Sequence, residues 1–203
     1  MSTHWTPTKP RSLTWSHAAR IDGYGVLISN GFVMVQLNDM RSPHDTKHVA
    51  RVIGDGPTQQ VLLTGAWMRD SPERDPDDIK RMLERVWIDA TAEQVNGDPL
   101  VPVTLTEWVK RAQFDGDDHL VCLATVRDEH VIGLQQAYLD LFIAPKASAA
   151  ALVLNQRADQ PTSAVMVTIP GGTGIIMPVV RGVTHGLLNG IDKLPGVRLA
   201  ARP

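Results

Sequence analysis

Two histidines, His44 and His48, have a spacing that is compatible with a metal site. His44 and His48 are four residues apart with Asp45 between them, a spacing that on a helix places both imidazoles on one face. Ser42-Pro43 and the polar surroundings favour a loop instead, and no third ligand follows at a recognisable spacing. The sequence therefore predicts no metal site.

An acidic turn and a glycine cluster are the other chemically suggestive segments. Asp115, Asp117 and Asp118 match no complete calcium-loop pattern. The glycines of 171–174 are followed by a β-rich run, whereas a phosphate loop needs a following helix, so a hairpin turn is predicted. No nucleophile elbow, Walker sequence or Cys-x-x-Cys pair occurs. We predict no catalytic residue and no cofactor, and a hydrolase or nuclease built on these acids and the histidines is the least favoured alternative.

Composition sets limits on the possible partners. The 203 residues carry a formal net charge of −2 with a pI near 6.4, so no global basic field attracts nucleic acid and any DNA contact must come from a local patch. Cys122 is the single cysteine, which excludes a disulfide within the chain. No stretch approaches the roughly 20 apolar residues that span a bilayer. We expect a soluble, cytoplasmic protein with no membrane contact.

Local basic patches are predicted on two helices. Asp75 as N-cap and Pro76 at the first helical position begin the first helix. One face of it is apolar, and the other carries cations, namely Lys80, Arg81 and Arg85. Thr104-Leu105-Thr106-Glu107 has the form of a capping box that begins a second helix, with Lys110-Arg111 outward. On the first helix a solvated surface with local ion pairs is the alternative interpretation.

Turn and period signals divide the chain into modules. Asn30-Gly31 between two β-rich runs predicts a hairpin, and strands are predicted at 48–53 and 60–67. The turn sequence at 96–99 is the predicted boundary. The expected fold class is α+β, with two small modules that each place helices on one face of an antiparallel sheet. The expected parts are an arm at 1–12, modules at 13–98 and 99–182, and an extension at 183–203.

The order of elements in 128–181 resembles the closing half of a DNA sliding-clamp module. A predicted strand leads into a short helix at 135–143 that contains Tyr138-Leu139. Strands at 151–155 and 164–169 follow, and a last strand at 175–180 contains Met177-Pro178. The resemblance covers about a quarter of the chain and rests on the order of short motifs. It departs from the family in the residues that follow Met-Pro and in the small size of two modules within 203 residues.

The resemblance implies a processivity factor without catalytic activity, of the kind also found in phages. In that family helices line a ring and contact the duplex backbone without sequence specificity, which assigns DNA binding to the five cations Lys80, Arg81, Arg85, Lys110 and Arg111. The resemblance also implies that Met177, Pro178 and Val179 dock short peptides of DNA polymerase or other replication proteins. Six modules close such a ring, so a homotrimer is expected.

A second class of function stays open on the sequence alone. The chain carries five tryptophans, with Trp5 and Trp15 near the N-terminus, and aromatic residues are enriched at interface hot spots. This composition fits a non-enzymatic interaction or assembly protein, possibly phage-type, that does not contact nucleic acid.

Overall fold

The computed structural model describes residues 14–37, 58–69, 74–114, 117–127, 130–143, 152–160 and 162–179. These residues form an α+β structure that is mostly antiparallel sheet with a few helices. The strands are β1 (His17–Ile21), β2 (Gly25–Ser29), β3 (Val33–Leu37), β4 (Ala66–Met68), β5 (Gln94–Val95), β6 (Asp98–Phe114), β7 (Asp117–Val126), β8 (His130–Gln135), β9 (Val153–Arg157), β10 (Val165–Ile169) and β11 (Gly172–Ile176). The helices are α1 (Thr58–Thr64), α2 (Pro76–Thr91) and α3 (Gln136–Leu139).

The chain divides into two compact units. Unit 1 comprises Met1–Asp89 with Thr168–Ile175, and unit 2 comprises Ala90–Val167 with Ile176–Pro203. The transition from one to the other falls inside α2, seven residues before the turn at 96–99. That turn joins β5 to β6 as a hairpin, with Asn96 at φ 52° and Gly97 at φ 84°. The predicted arm and the predicted C-terminal extension lie outside the described residues.

Unit 1 is built on an antiparallel meander. β2 pairs with β1 and β3, and β4 pairs with the other edge of β1. The predicted hairpin at Asn30-Gly31 is confirmed, although its loop has three residues, 30–32, of which only Gly31 has a positive φ. The side chain of Asn30 stabilises the turn because its Oδ1 accepts the N–H groups of Phe32 and Val33 at 2.9 Å.

Helix α2 begins as predicted. The N–H of Asp77 donates to Oδ1 of Asp75 at 3.0 Å, so Asp75 caps the helix. Ile79, Leu83 and Trp87 recur at helical spacing and are at most 3% exposed. The helix is therefore stabilised by a local cap and by one buried stripe of side chains.

The strand predicted at 60–67 is wrong for most of its length. Thr58–Thr64 is helix α1, and only Ala66–Met68 is a strand. Gly65 ends the helix at φ 80°, and its N–H donates to the carbonyl oxygen of Val61 at 3.1 Å. The other strand predicted in this part of the chain, at 48–53, lies outside the described residues.

The helix predicted from Thr104 to Ala112 is also wrong, because these residues belong to the long strand β6. β6 pairs with β7 along one edge and with β9 along the other, so its backbone groups find partners between strands. Alternating β-branched residues such as Val101, Val103 and Thr104 favour this state. The register shifts between Leu105 and Val109, which marks a β-bulge or irregularity.

The remaining strands, β7 to β11, follow the predicted order. β7 pairs with β8 in an antiparallel hairpin, and β10 lies beside β9. The helix predicted at 135–143 is shortened to Gln136–Leu139, with Leu139, Leu141 and Phe142 buried. The last strand lies earlier than predicted, since β11 begins at Gly172 and ends before Met177.

Candidate nucleic-acid interface

Three of the five predicted DNA-binding cations lie on the solvent side of α2. The side chains of Lys80, Arg81 and Arg85 are 31%, 68% and 85% exposed, respectively. They emerge from the helix surface that the buried stripe at Ile79 and Leu83 leaves free. A flexible cation on a rigid helix can reach a phosphate group, so this face fits non-specific contact with a nucleic-acid backbone.

Each of these cations has a carboxylate within 4.0 Å. Lys80 Nζ is 4.0 Å from Asp22 Oδ2, in the turn between β1 and β2. The other two pairs are internal to α2, where Arg81 donates to Asp78 Oδ1 at 2.5 Å and Arg85 Nε is 3.8 Å from Asp89 Oδ2. The hydrogen bond from Arg81 to Asp78 and the charge of Asp78 raise the pKa of the Arg81 guanidinium above its usual value. The solvent face of α2 is therefore a set of ion pairs and not a uniformly basic surface.

The sequence indicated local ion pairs on α2 as the alternative interpretation, but it did not identify the carboxylates that form them. The spacing of Asp78 to Arg81 and of Arg85 to Asp89 is the signal that identifies two of the pairs, since residues three and four apart are neighbours on a helix. No comparable signal identifies Asp22, because the β1–β2 turn is 58 positions before Lys80 and only the fold brings them together.

Lys110 and Arg111 are on a strand and not on a helix. In the β6–β7 ladder, position 110 lies opposite Val121 and position 111 opposite Leu120. The prediction that these two cations project from one outward helix face is therefore wrong, because no helix forms there. Lys110 and Arg111 belong to unit 2, and the ion-paired cations of α2 belong to unit 1.

The predicted peptide-docking residues follow β11 and lie along β8. The N–H of Val179 donates to the carbonyl oxygen of Gly133 at 2.8 Å, while Pro178 is buried and Met177 is half-buried. A Cβ at Gly133 would be 2.8 Å from Val121 Cγ1 and 3.7 Å from Val179 Cβ, which explains the glycine in the middle of β8. Two of the three side chains thus keep part of their surface in contact with solvent.

Two histidines considered for chemistry are described. His17 is the first residue of β1, and its Nδ1 is 2.7 Å from Ser16 Oγ. Burial lowers the pKa of the His17 imidazole, and the charge of Arg74 lowers it further. In His130 the Nδ1 atom is buried without a hydrogen-bond partner.

The other residues considered for chemistry are only partly described. His44, His48 and Asp115 lie outside the described residues. Over the described part of the chain, no group of three His, Cys, Asp or Glu side chains is placed to hold a metal ion. The glycines at 171–174 form a hairpin turn and the start of β11, as predicted, and not a loop before a helix.

Comparison with protein-family models, with curated proteins and with solved structures found no match. None of the helices among the described residues is long and apolar enough to cross a membrane. The function is therefore argued from the geometry of the chain itself.

Proposed function

We propose that the chain is a non-catalytic, clamp-like DNA-associated processivity factor that encircles or tracks duplex DNA and docks replication proteins. The observation that carries the proposal is the order of elements from β8 to β11. β8 leads into α3, β9, β10 and β11 follow, and Met177-Pro178 come directly after β11. This is the order on which the resemblance to the closing half of a clamp module rests, and all of these strands belong to an antiparallel sheet.

The packing around α3 supports the same proposal. Leu139, Leu141 and Phe142 are buried, so the short helix and the turn after it contribute to the core. Tyr138 is half-buried beside them. In the proposal this helix closes the second module, at 99–182, and the first module occupies 13–98.

Contact with DNA in the proposal comes from α2. Arg81 and Arg85 are exposed and Lys80 is half-buried, and each pairs with an exposed carboxylate. Exposed ion pairs contribute little free energy, so a phosphate group can replace a carboxylate at small cost. Such contact is weak and sensitive to salt, as sliding along a duplex requires. We propose Lys110 and Arg111 as a second DNA contact.

Docking of partner peptides is proposed at Met177, Pro178 and Val179. The two half-buried side chains, Met177 and Val179, offer apolar surface beside the edge of β8. The partners proposed are short peptides of a DNA polymerase or of other replication proteins. No cofactor takes part in either contact.

A titration of duplex DNA at two salt concentrations tests the DNA contact. Fluorescence anisotropy of a labelled duplex of mixed sequence is measured at about 50 mM and about 200 mM salt, a range over which phosphate contacts weaken strongly. We expect weak binding to the unmodified chain. The triple variant Lys80→Glu, Arg81→Glu, Arg85→Glu is expected to lose this binding. The slope of log K against log salt concentration is expected to decrease in magnitude by about 0.9 for each phosphate contact removed.

A matched control separates the α2 contact from a general effect of charge. Arg127→Glu reverses one exposed cation in the β7–β8 turn, outside α2, and is compared with the single variant Arg81→Glu. Binding that is equally sensitive to both variants, or absent from the unmodified chain at about 50 mM salt, contradicts the proposed contact. The variant Lys110→Glu, Arg111→Glu tests the second contact in the same assay.

An interaction or assembly protein without nucleic-acid contact is the second candidate. It is favoured by exposed apolar side chains in unit 1, since Leu63 on α1 is 76% exposed and Phe32 at the β2–β3 turn is 56% exposed. Trp15 and Trp87 do not add to this argument, because both are core residues. Loss of self-association or partner binding in Leu63→Ser or Phe32→Ser, together with no DNA binding, favours this candidate.

A further inference from the structure

We infer that Asp22, Asp78 and Asp89 compete with phosphate for the cations of α2 and thereby set the strength and lifetime of the DNA contact. This inference rests on the proposed DNA contact and deepens it. Each carboxylate pairs with its cation in the absence of DNA. A phosphate group of the duplex must displace that carboxylate before it can bind the cation.

The geometry assigns one carboxylate to each cation. Asp78 accepts from Arg81, Asp89 lies beside Arg85, and Asp22 lies beside Lys80. Two of these pairs are set by the helix itself, because residues at i,i+3 and i,i+4 are neighbours. The third pair is different in kind, because the carboxylate comes from the β1–β2 turn.

Stability of the fold does not account for this arrangement. The paired side chains of Asp22, Asp78 and Asp89 are 98%, 66% and 55% exposed, and exposed ion pairs add little to folding. The same exposure leaves both partners in reach of an incoming phosphate. Within α2 itself four carboxylates accompany three cations, so the free helix offers no net attraction to DNA until a carboxylate is displaced.

The expected behaviour is a contact that forms and breaks quickly. A phosphate that replaces Asp78 on Arg81 is itself replaced when the carboxylate returns, because the carboxylate is tethered one helical turn away. A cation of α2 thereby exchanges one phosphate group for the adjacent one while the protein stays on the duplex. Removing the competing carboxylates makes the same cations bind more tightly and leave more slowly.

Neutral isosteric variants test the inference on the full chain. Asp78→Asn and Asp89→Asn, singly and together, remove the competing charges but keep the side-chain size. At about 50 mM salt we expect a roughly two- to fivefold gain in duplex affinity for each pair that is opened, since exposed pairs have energies of this order. The dissociation rate is expected to fall by a similar factor.

The control is Asp140, an exposed aspartate whose hydrogen-bond donor is a neutral group. Asp140 accepts from the neutral amide of Gln136 at 2.8 Å, so Asp140→Asn makes the same change in net charge without opening an ion pair on α2. It is expected to leave duplex affinity within about 1.5-fold of the unmodified chain, because distant exposed charges are largely screened.

The outcomes distinguish the inference from the proposed function. A gain in the α2 variants that Asp140→Asn does not share supports the inference. Measurable binding by the unmodified chain with no gain in Asp78→Asn or Asp89→Asn, or with an equal gain in Asp140→Asn, overturns the inference and leaves the proposed function standing. Absence of binding in every variant overturns both. Asp89→Asn lies outside the first helical turn, so it keeps the test valid if Asp78→Asn weakens the helix.

Discussion

Helix α2 and strand β6 are both long and both carry charged residues, but they are held in place by different kinds of interaction. α2 is capped by Asp75, four residues before its first buried side chain, Ile79, and its ion pairs lie within the helix or between the helix and one turn. β6 depends on partners that are distant in sequence, since Val103 pairs with Val126 on one edge and with Leu154 on the other. The helical conformation of α2 is therefore determined mainly by nearby residues, whereas the strand conformation of β6 depends on pairing with β7 and β9.

The largest expected effect is the loss of the buried stripe of α2. Trp87 is 2% exposed, so Trp87→Ala is expected to lower the free energy of unfolding by about 3–5 kcal/mol. Its neighbour Ile88 is 38% exposed, and Ile88→Ala is expected to change the same quantity by about 0.5 kcal/mol or less. Urea denaturation of both variants measures the contrast, and equal losses would contradict the assignment of the buried face.

Arg157 joins the two regions, because its guanidinium donates to carbonyl groups that follow α2 and to one that begins β6. It donates to the carbonyl oxygens of Ala92 and Glu93 and, at 3.0 Å, to that of Asp98. Arg157 is 2% exposed, so Arg157→Met leaves these carbonyls without that donor and is expected to cost about 2–3 kcal/mol. Arg157→Lys keeps the charge but not the fork of donors. Thermal denaturation that ranks the lysine variant with the methionine variant would show that donor geometry, and not charge, carries the contact, whereas an unchanged methionine variant would contradict it.

Close packing between strands β8 and β7 is tested at Gly133. A Cβ there would be 2.8 Å from Val121 Cγ1, so Gly133→Ala is expected to destabilise the chain by about 1–3 kcal/mol. Val121→Ala removes the clashing methyl groups. In a double-mutant cycle the two substitutions together are expected to cost less than the sum of the single costs. Strict additivity would contradict the contact.

The two candidate helix starts are compared directly by valine substitution. Valine is a poor N-cap but a favourable strand residue of nearly the same shape as threonine. Asp75→Val is therefore expected to cost about 1 kcal/mol, because the hydrogen bond to Asp77 N–H is lost. Thr104→Val is expected to change stability by about 0.5 kcal/mol or less, because Thr104 is an exposed residue of β6. A comparable loss at both positions would favour a helix start at Thr104.

The smallest expected effect is a dependence of stability on pH through His17. Its folded-state pKa is below the usual 6.5, so the unfolded chain binds the proton more readily than the folded chain. The stabilising contribution of the neutral imidazole is present above pH 6.5 and is lost as the pH falls below it. The melting temperature is expected to drop between about pH 7.5 and about pH 5.5, and to drop less in His17→Gln. An equal drop in both chains would contradict this assignment.

The parts of the fold that sequence reasoning predicted are those with local signals. The cap at Asp75, the hairpin at Asn30-Gly31 and the strand predicted at 164–169, which is β10, depend on neighbours within a few residues. The capping-box pattern at Thr104 was overridden by pairing with β7 and β9. Most of the strand predicted at 60–67 is replaced by helix α1, which ends at Gly65.

The candidate site was predictable only in part for the same reason. Lys80, Arg81 and Arg85 lie together because α2 forms as its sequence indicates. Lys110 and Arg111 were assigned to a helix that tertiary pairing replaced with β6. The carboxylate of Asp22 reaches Lys80 only through the fold, so no local pattern identifies this pair.

The native mass of the chain in solution tests the clamp proposal most directly, because ring closure requires a fixed number of chains. Two modules per chain and six modules per ring predict a discrete trimer, so light scattering is expected to give three times the 22.2 kDa of one chain, independent of concentration above the assembly threshold. A monomer at all concentrations, or a mass that grows without limit, would contradict the encircling mechanism.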